Sequence, residues 1–281
     1  MSDFSTLAGN ATKITARGFG WTHAGRTQPA LADIDLVIEP GERVLLCGDS
    51  GSGKSTLLAA MAGVLGSDEE GTRTGELLLE DSTGLVEEPG RSIPVGLVLQ
   101  DPDSQVISAR VGDDIAFGCE NLAYPREEIW RRVAAAKELV GPFVPLDFPT
   151  ERLSGGQKQR LALAGVIAMG AGVVLLDEPT ANLDPEGARD VVRAVSALVE
   201  ETGATLVVVE HQHAAWKGVL ERAVELDHGR IVSDGPFAEV AQRRQVAGLP
   251  QARRMGEAEL AEREAALWST DLVTRYGPPR T

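Results

Sequence analysis

The apolar run Val44, Leu45, Leu46, Cys47 passes directly into Gly48, Asp49, Ser50, Gly51, Ser52, Gly53, Lys54, Ser55 and Thr56. No other stretch limits the possible folds so tightly. The glycines let the backbone curl so that its N–H groups point inward, and Lys54 and Ser55 bring an ammonium and a hydroxyl at the spacing of a phosphate-binding loop. Such a loop works where a strand ends and a helix begins, because the helix N-terminus adds a favourable field for an anion. Both flanks comply: a strand reading precedes the loop and a helix reading over residues 54–65 follows it. Lys54 is placed to reach the β- and γ-phosphates of ATP, and the Ser55 hydroxyl to ligate Mg²⁺.

The rest of the chain repeats that strand-then-helix rhythm. Alternation over residues 34–38, a turn at Pro40 and Gly41, and apolar segments at 75–80 and 95–99 read as strands. Residues 81–94 read as a loop, and residues 126–140 as a helix opened by Pro125. Pro142, Pro145 and Pro149 mark a connecting segment. The uncharged run 161–176 is shorter than the about 20 residues of a membrane span and is broken by Gly170 and Gly172. It reads as a buried helix turning into a buried strand over 173–176. A helix over 185–201 and a strand over 206–209 complete a parallel sheet with helices on both faces. Residues 241–281, rich in Ala, Glu and Arg, read as a separate helical extension. No internal repeat is present, and the first residues carry no apolar leader.

Two further clusters carry chemistry. Asp177 and Glu178 close an apolar strand, where one carboxylate can hold Mg²⁺ and the other polarise an attacking water. Ser154, Gly155 and Gly156 open a helix and form a second anion site of the same physical kind. One nucleotide does not need two such helix ends from one chain, so the second is read as serving ATP held by another chain. His211 follows the strand at 206–209 and is read as a γ-phosphate contact. His23, His213 and His228 are read as surface or loop residues.

With these motifs together, the chain resembles an ATP-binding cassette (ABC) ATPase over about residues 13–240. Leu153, Ser154, Gly155, Gly156 and Gln157 match that family's signature. The resemblance implies an α/β P-loop core with a mostly parallel sheet, an antiparallel β subdomain, and a helical subdomain inserted at about 101–152. It assigns Gln100 to the glutamine loop that contacts Mg²⁺, Asp184 to the aspartate loop and His211 to the switch. Trp21 stands where the family stacks an aromatic ring on adenine. Glu210 replaces the family's usual Thr or Ser, which puts a second carboxylate near the phosphates.

A narrower resemblance lies in Gln100, Asp101, Pro102, Asp103, Ser104 and Gln105, in Val111 to Gly118, and in Glu120, Asn121 and Leu122. This block is similar to energy-coupling-factor transporter ATPases, which drive uptake of vitamins or of cobalt and nickel ions. The implied partners are a second ABC ATPase subunit, identical or paralogous, a transmembrane coupling subunit and a substrate-binding membrane subunit. The implied location is the cytoplasmic face of the membrane. Asp103 is expected to hold an arginine on a cytoplasmic helix of the transmembrane partner.

Charge and cysteine content agree with this reading. A formal net charge of −15 argues against coating nucleic acid phosphate or anionic lipid. Cys47 and Cys119 cannot form a disulfide framework and fit a reducing compartment. A soluble DNA-repair or translation ATPase is the alternative. It is disfavoured because the former needs a long coiled-coil insertion and the latter two cassettes in one chain.

Overall fold

The computed structural model describes residue 7 and residues 11–66, 70–141, 144–211 and 213–243. The elements run β1 (Lys13–His23), β2 (Leu31–Ile38), β3 (Arg43–Gly48), α1 (Lys54–Met61), β4 (Gly71–Glu80), β5 (Val86–Glu87) and β6 (Val95–Val98). They continue with α2 (Val111–Asn121), α3 (Arg126–Leu139), α4 (Gly155–Met169), β7 (Val173–Asp177), α5 (Pro185–Thr202), β8 (Thr205–Val209), β9 (Arg222–Asp227) and β10 (Arg230–Pro236).

These strands form two sheets. One is antiparallel, in the order β2-β1-β4-β5; the other runs β10-β9-β3-β8-β7-β6 and is parallel except for the β9–β10 hairpin. β3, β7 and β8 are unbroken apolar runs rather than alternating ones, as strands buried on both faces must be. Side chains alternate between faces along each strand. Val44, Leu46, Leu175, Val207 and Val209 therefore share one face, where they join Leu57, Leu58 and Met61 of α1 and the inner face of the antiparallel sheet in a common core. On the opposite face Val174 lines a small gap together with Val166 and Ile167 of α4 and Leu198 of α5.

Arg222 ties the sheets together at their rim. Its guanidinium grips Asp234 of β10 through two parallel bonds of 2.7 and 2.6 Å, and it also donates to Glu42 and to the Val37 carbonyl of β2.

The run 161–176 resolves as expected. α4 ends at Gly170, whose φ of 73° turns the chain into β7. Two local readings change. α1 stops at Met61, short of residue 65, where Gly63 turns against Gly90. α2, not read as a helix from its sequence, forms because Ile115, Ala116 and Cys119 are buried against α4 and α3. Gly112 and Gly118 weaken its intrinsic helicity but let it approach Leu146 and Met169 closely, so tertiary packing overrides propensity.

Met1–Ala238 form one compact unit and Glu239–Thr281 a second, of which only residues 239–243 are described. The expected helical extension lies almost entirely outside the described residues. Among these, no helix is long and apolar enough to cross a membrane.

Candidate functional site

The register of the parallel sheet sets the site. β6, β7, β8 and β3 are neighbours pointing the same way, so the segments after their carboxyl ends emerge side by side. Those segments carry Gln100, Asp177 with Glu178, His211 and the glycine loop. Open α/β sheets bind their ligands at this edge.

The loop is preformed. Gly48 has φ of 147°, and a Cβ placed on it would lie 2.2 Å from the Leu226 carbonyl oxygen, so no other residue fits. Lys54 is buried, and its Nζ donates to the carbonyls of Gly48 and Asp49 at 3.0 and 2.9 Å. This holds the ammonium inside its own loop. The Ser52 hydroxyl is buried at 4% exposure with no hydrogen-bond partner among the described residues. An orphaned donor inside a curled loop suits an anion with several acceptor oxygens. Asp49, Ser50 and Gly51 form the loop's exposed crest, while Ser55 and Thr56 begin α1.

Asp177 ends β7 and accepts a hydrogen bond from the Ser55 side chain. Burial raises its pKa; the Ser55 bond and the charges of Lys54 and His211 pull it down, and Glu178 pushes it further up. Glu178 follows with φ of 48°, a left-handed conformation rare for glutamate. Its N–H donates to the Val209 carbonyl, and its Oε1 lies 3.0 Å from His211 Nε2. Backbone strain of this kind gathers at functional sites.

Glu210 departs from the sequence reading. It is 4% exposed, and both of its carboxyl oxygens are taken up by neighbouring donors. One carboxyl oxygen accepts from the His211 backbone N–H at 2.7 Å, and the other from the Thr180 hydroxyl. Trp21 departs as well. Register shifts in the β1–β2 pairing on both sides of Phe19 leave Phe19, Gly20 and Trp21 all buried. The indole lies at 4% exposure in the core, with room made by Gly71, and its N–H meets His23 Nδ1 at 3.1 Å. As placed, it offers no open face to a base.

The signature residues stand apart from the glycine loop. Ser154 caps α4 in a reciprocal pair with Gln157, at 2.9 and 3.4 Å, so the helix N-terminus opens with a full capping box. Asp184 caps α5 through the Gly187 N–H at 2.9 Å. Ser154, Gly155, Gly156, Gln157 and Asp184 line one cavity of about 360 Å³, whose lining includes none of residues 48–56.

A polar linkage that sequence reasoning missed joins α4 to the segment after β6. Gln159, 1% exposed, and Gln105 both donate to the Leu99 carbonyl, at 3.1 and 3.0 Å, and Gln105 Oε1 accepts from the Leu99 N–H at 2.8 Å. Asp103 is ion-paired with Lys158 of α4. The pairing of two glutamines across this distance has no local sequence signal. Gln100 itself lies just past the end of β6 and is exposed.

Fold and site together define a nucleotide-hydrolysing P-loop ATPase. A family profile described as "ABC transporter" matches residues 31–181, just over half of the chain. The chain belongs to the ABC transporter ATP-binding family. It is 40% identical over 215 residues to the energy-coupling factor transporter ATP-binding protein EcfA1 of Caldanaerobacter subterraneus subsp. tengcongensis, covering 76% of each chain. It is 39% identical over 226 residues to a putative ABC transporter ATP-binding protein of Methanosarcina acetivorans, but spans only 35% of that longer relative. The solved structure of cbiO1 from Clostridium perfringens, part of the ABC transporter complex cbiONQ, matches with a TM-score of 0.70 at 30% identity. That match covers 90% of this chain and 99% of that one.

Proposed function

We propose that the chain is the ATP-hydrolysing motor subunit of an energy-coupling-factor-type importer, powering uptake of a vitamin or a transition-metal ion through a transmembrane partner. The observation that carries this reading is the separation of two half-sites. The glycine loop, Asp177, Glu178 and His211 converge at one sheet edge, while Ser154, Gly155, Gly156 and Asp184 line a different cavity. Two such chains, or this chain and a paralogue, facing each other would complete each ATP site from both sides. Similarity to EcfA1 and to cbiO1 supports the transporter class, and the peripheral position at the cytoplasmic face follows from it.

Within the site, the loop N–H groups and Lys54 hold the triphosphate of ATP. Glu178 accepts a proton from the attacking water, and its bond to His211 orients both side chains. Mg²⁺ is commonly held by one or two carboxylates plus substrate phosphates rather than by a protein cage. Asp177 hydrogen-bonded to Ser55 fits that pattern, with Gln100 as the third contact; the ion would neutralise charge on the phosphates. Asp103, already paired with Lys158, is the residue for docking the transmembrane partner's cationic helix.

Glu178→Gln tests the reading. ATP binding should persist while hydrolysis falls by roughly 10²–10⁴-fold, and light scattering should detect an ATP-bound dimer that the wild type does not accumulate. Wild-type turnover in this variant would overturn the assignment. Lys54→Ala should instead weaken ATP binding itself.

A further inference from the structure

We infer that Glu210 and Thr180 form a clasp that sets the register of the hydrolytic pair, Glu178 and His211, so that both are positioning residues for the reaction. The inference rests on the reading of Glu178 and His211 given under the proposed function. β7 and β8 are neighbouring parallel strands with Asp177 opposite Val209, so the segments beyond them leave the sheet together. Beyond that point the ladder stops. One backbone bond, from the Glu178 N–H to the Val209 carbonyl, still joins the two segments. Past it the chain continues as Pro179 and Thr180 on the β7 side, and as Glu210 and His211 on the β8 side.

The Glu210 carboxyl spans this gap. One oxygen accepts from the Thr180 hydroxyl, two residues past Glu178; the other accepts from the backbone N–H of His211. Thr180 and Glu210 are each 4% exposed, so water does not compete for these bonds. By contrast, the pair they support faces outward, with the His211 side chain 54% exposed and Glu178 23% exposed. A buried clasp therefore sits under an accessible catalytic contact. Two flexible side chains keep a 3.0 Å approach only if their backbones are fixed, and Glu210 fixes both: directly for His211, and through Thr180 for the turn that bears Glu178. Its own carbonyl also meets His213 Nε2 at 3.1 Å, which anchors the clasp on the far side.

Removing one donor without changing shape tests this. Thr180→Val should lower kcat for ATP about 10- to 100-fold with KM and ATP affinity changed by less than about twofold, a part of the roughly 10²–10⁴-fold that a positioned general base contributes. Thr180→Ser, which keeps the hydroxyl, should return kcat to within about threefold of wild type. In a His211→Ala background, where the imidazole that the clasp orients is gone, Thr180→Val should cost less than about threefold more. A purely structural role would leave kcat per folded molecule unchanged, and an effect on hydrolysis that does not run through the Glu178–His211 pair would make the costs of the two substitutions multiply; either result overturns the inference. Should Thr180→Val not fold, Thr180→Ala, which also removes the hydroxyl and leaves the Glu210 bond to the His211 N–H in place, is held to the same kcat and KM split. If Glu178→Gln stops hydrolysis while Thr180→Val leaves kcat intact, the clasp alone fails. If Glu178→Gln hydrolyses normally, the reading of the site fails instead.

Discussion

Asp114 sits in α2 at 9% exposure and holds the end of the connection between β6 and that helix. Its Oδ2 accepts from the backbone N–H groups of both Ile107 and Ser108, each at 2.8 Å. Asp114→Ala removes that acceptor and strands two donors. A buried donor left unsatisfied costs about 1–3 kcal/mol. Ile107 is itself exposed, so water takes up part of the loss and the lower end applies to each. The expected cost is about 2 kcal/mol, or about 4–8 °C in Tm at about 2–4 °C per kcal/mol for a chain of this size. Asp114→Asn differs in kind. Its side-chain oxygen can take the place of Oδ2 and keep both bonds, while the buried charge disappears. Burial is the largest influence on this carboxyl and raises its pKa against the lowering effect of the two N–H bonds. The folded state thus holds the proton more tightly than the unfolded chain. Stability contributed by Asp114 therefore falls as the pH rises from the ordinary carboxylate value of 3.8 to the raised one, and stays lower above it. Urea unfolding of the wild type and both variants between about pH 4 and 8 reads this directly, with the Asn variant gaining on the wild type as pH rises. An Asn variant as damaged as the Ala variant, or a gap between it and the wild type that ignores pH, would refute the argument.

Gly48→Ala should abolish ATP binding, measured by equilibrium titration, because its Cβ would strike the Leu226 carbonyl. Gly165→Ala, at an open position inside α4, should raise stability by up to about 1 kcal/mol in thermal unfolding. Gln105→Leu and Gln159→Leu should show a coupling of about 0.5–1.5 kcal/mol in a double-mutant cycle by chemical unfolding, since both side chains share the Leu99 carbonyl and each other. Strict additivity would mean the linkage is not one unit. Gly155→Asp, on the wall of the signature cavity, should leave ATP binding by the isolated chain near normal and remove hydrolysis. Loss of binding in the monomer would make Gly155 a structural residue instead.

Much of this molecule is local in origin. The glycine loop needs residues with positive φ, an ammonium and a hydroxyl at adjacent positions, between an apolar strand and a helix, and all of these are written consecutively from Val44 to Thr56. The same holds for the Ser154 cap, and for the apolar runs whose unbroken burial marks central parallel strands. These features were legible because their physics spans a few residues. Helix α2 was not, since its two glycines speak against a helix and only contact with its neighbours α4 and α3 supplies the compensating burial.

Long-range placement was invisible for a related reason. Glu210 read as an extra charge beside the phosphates, yet a buried carboxyl turns toward whichever donors surround it, and Thr180 lies 30 positions away in sequence. Trp21 read as an open aromatic face, yet β1 shifts register against β2 and buries it. Gln105 and Gln159, 54 positions apart, meet only because α4 packs over the segment following β6. Sequence alone determined which chemistry the chain carries, because motif chemistry depends on covalent spacing. Which side chains orient that chemistry, and toward what, was decided only when the sheet brought distant segments to a common edge.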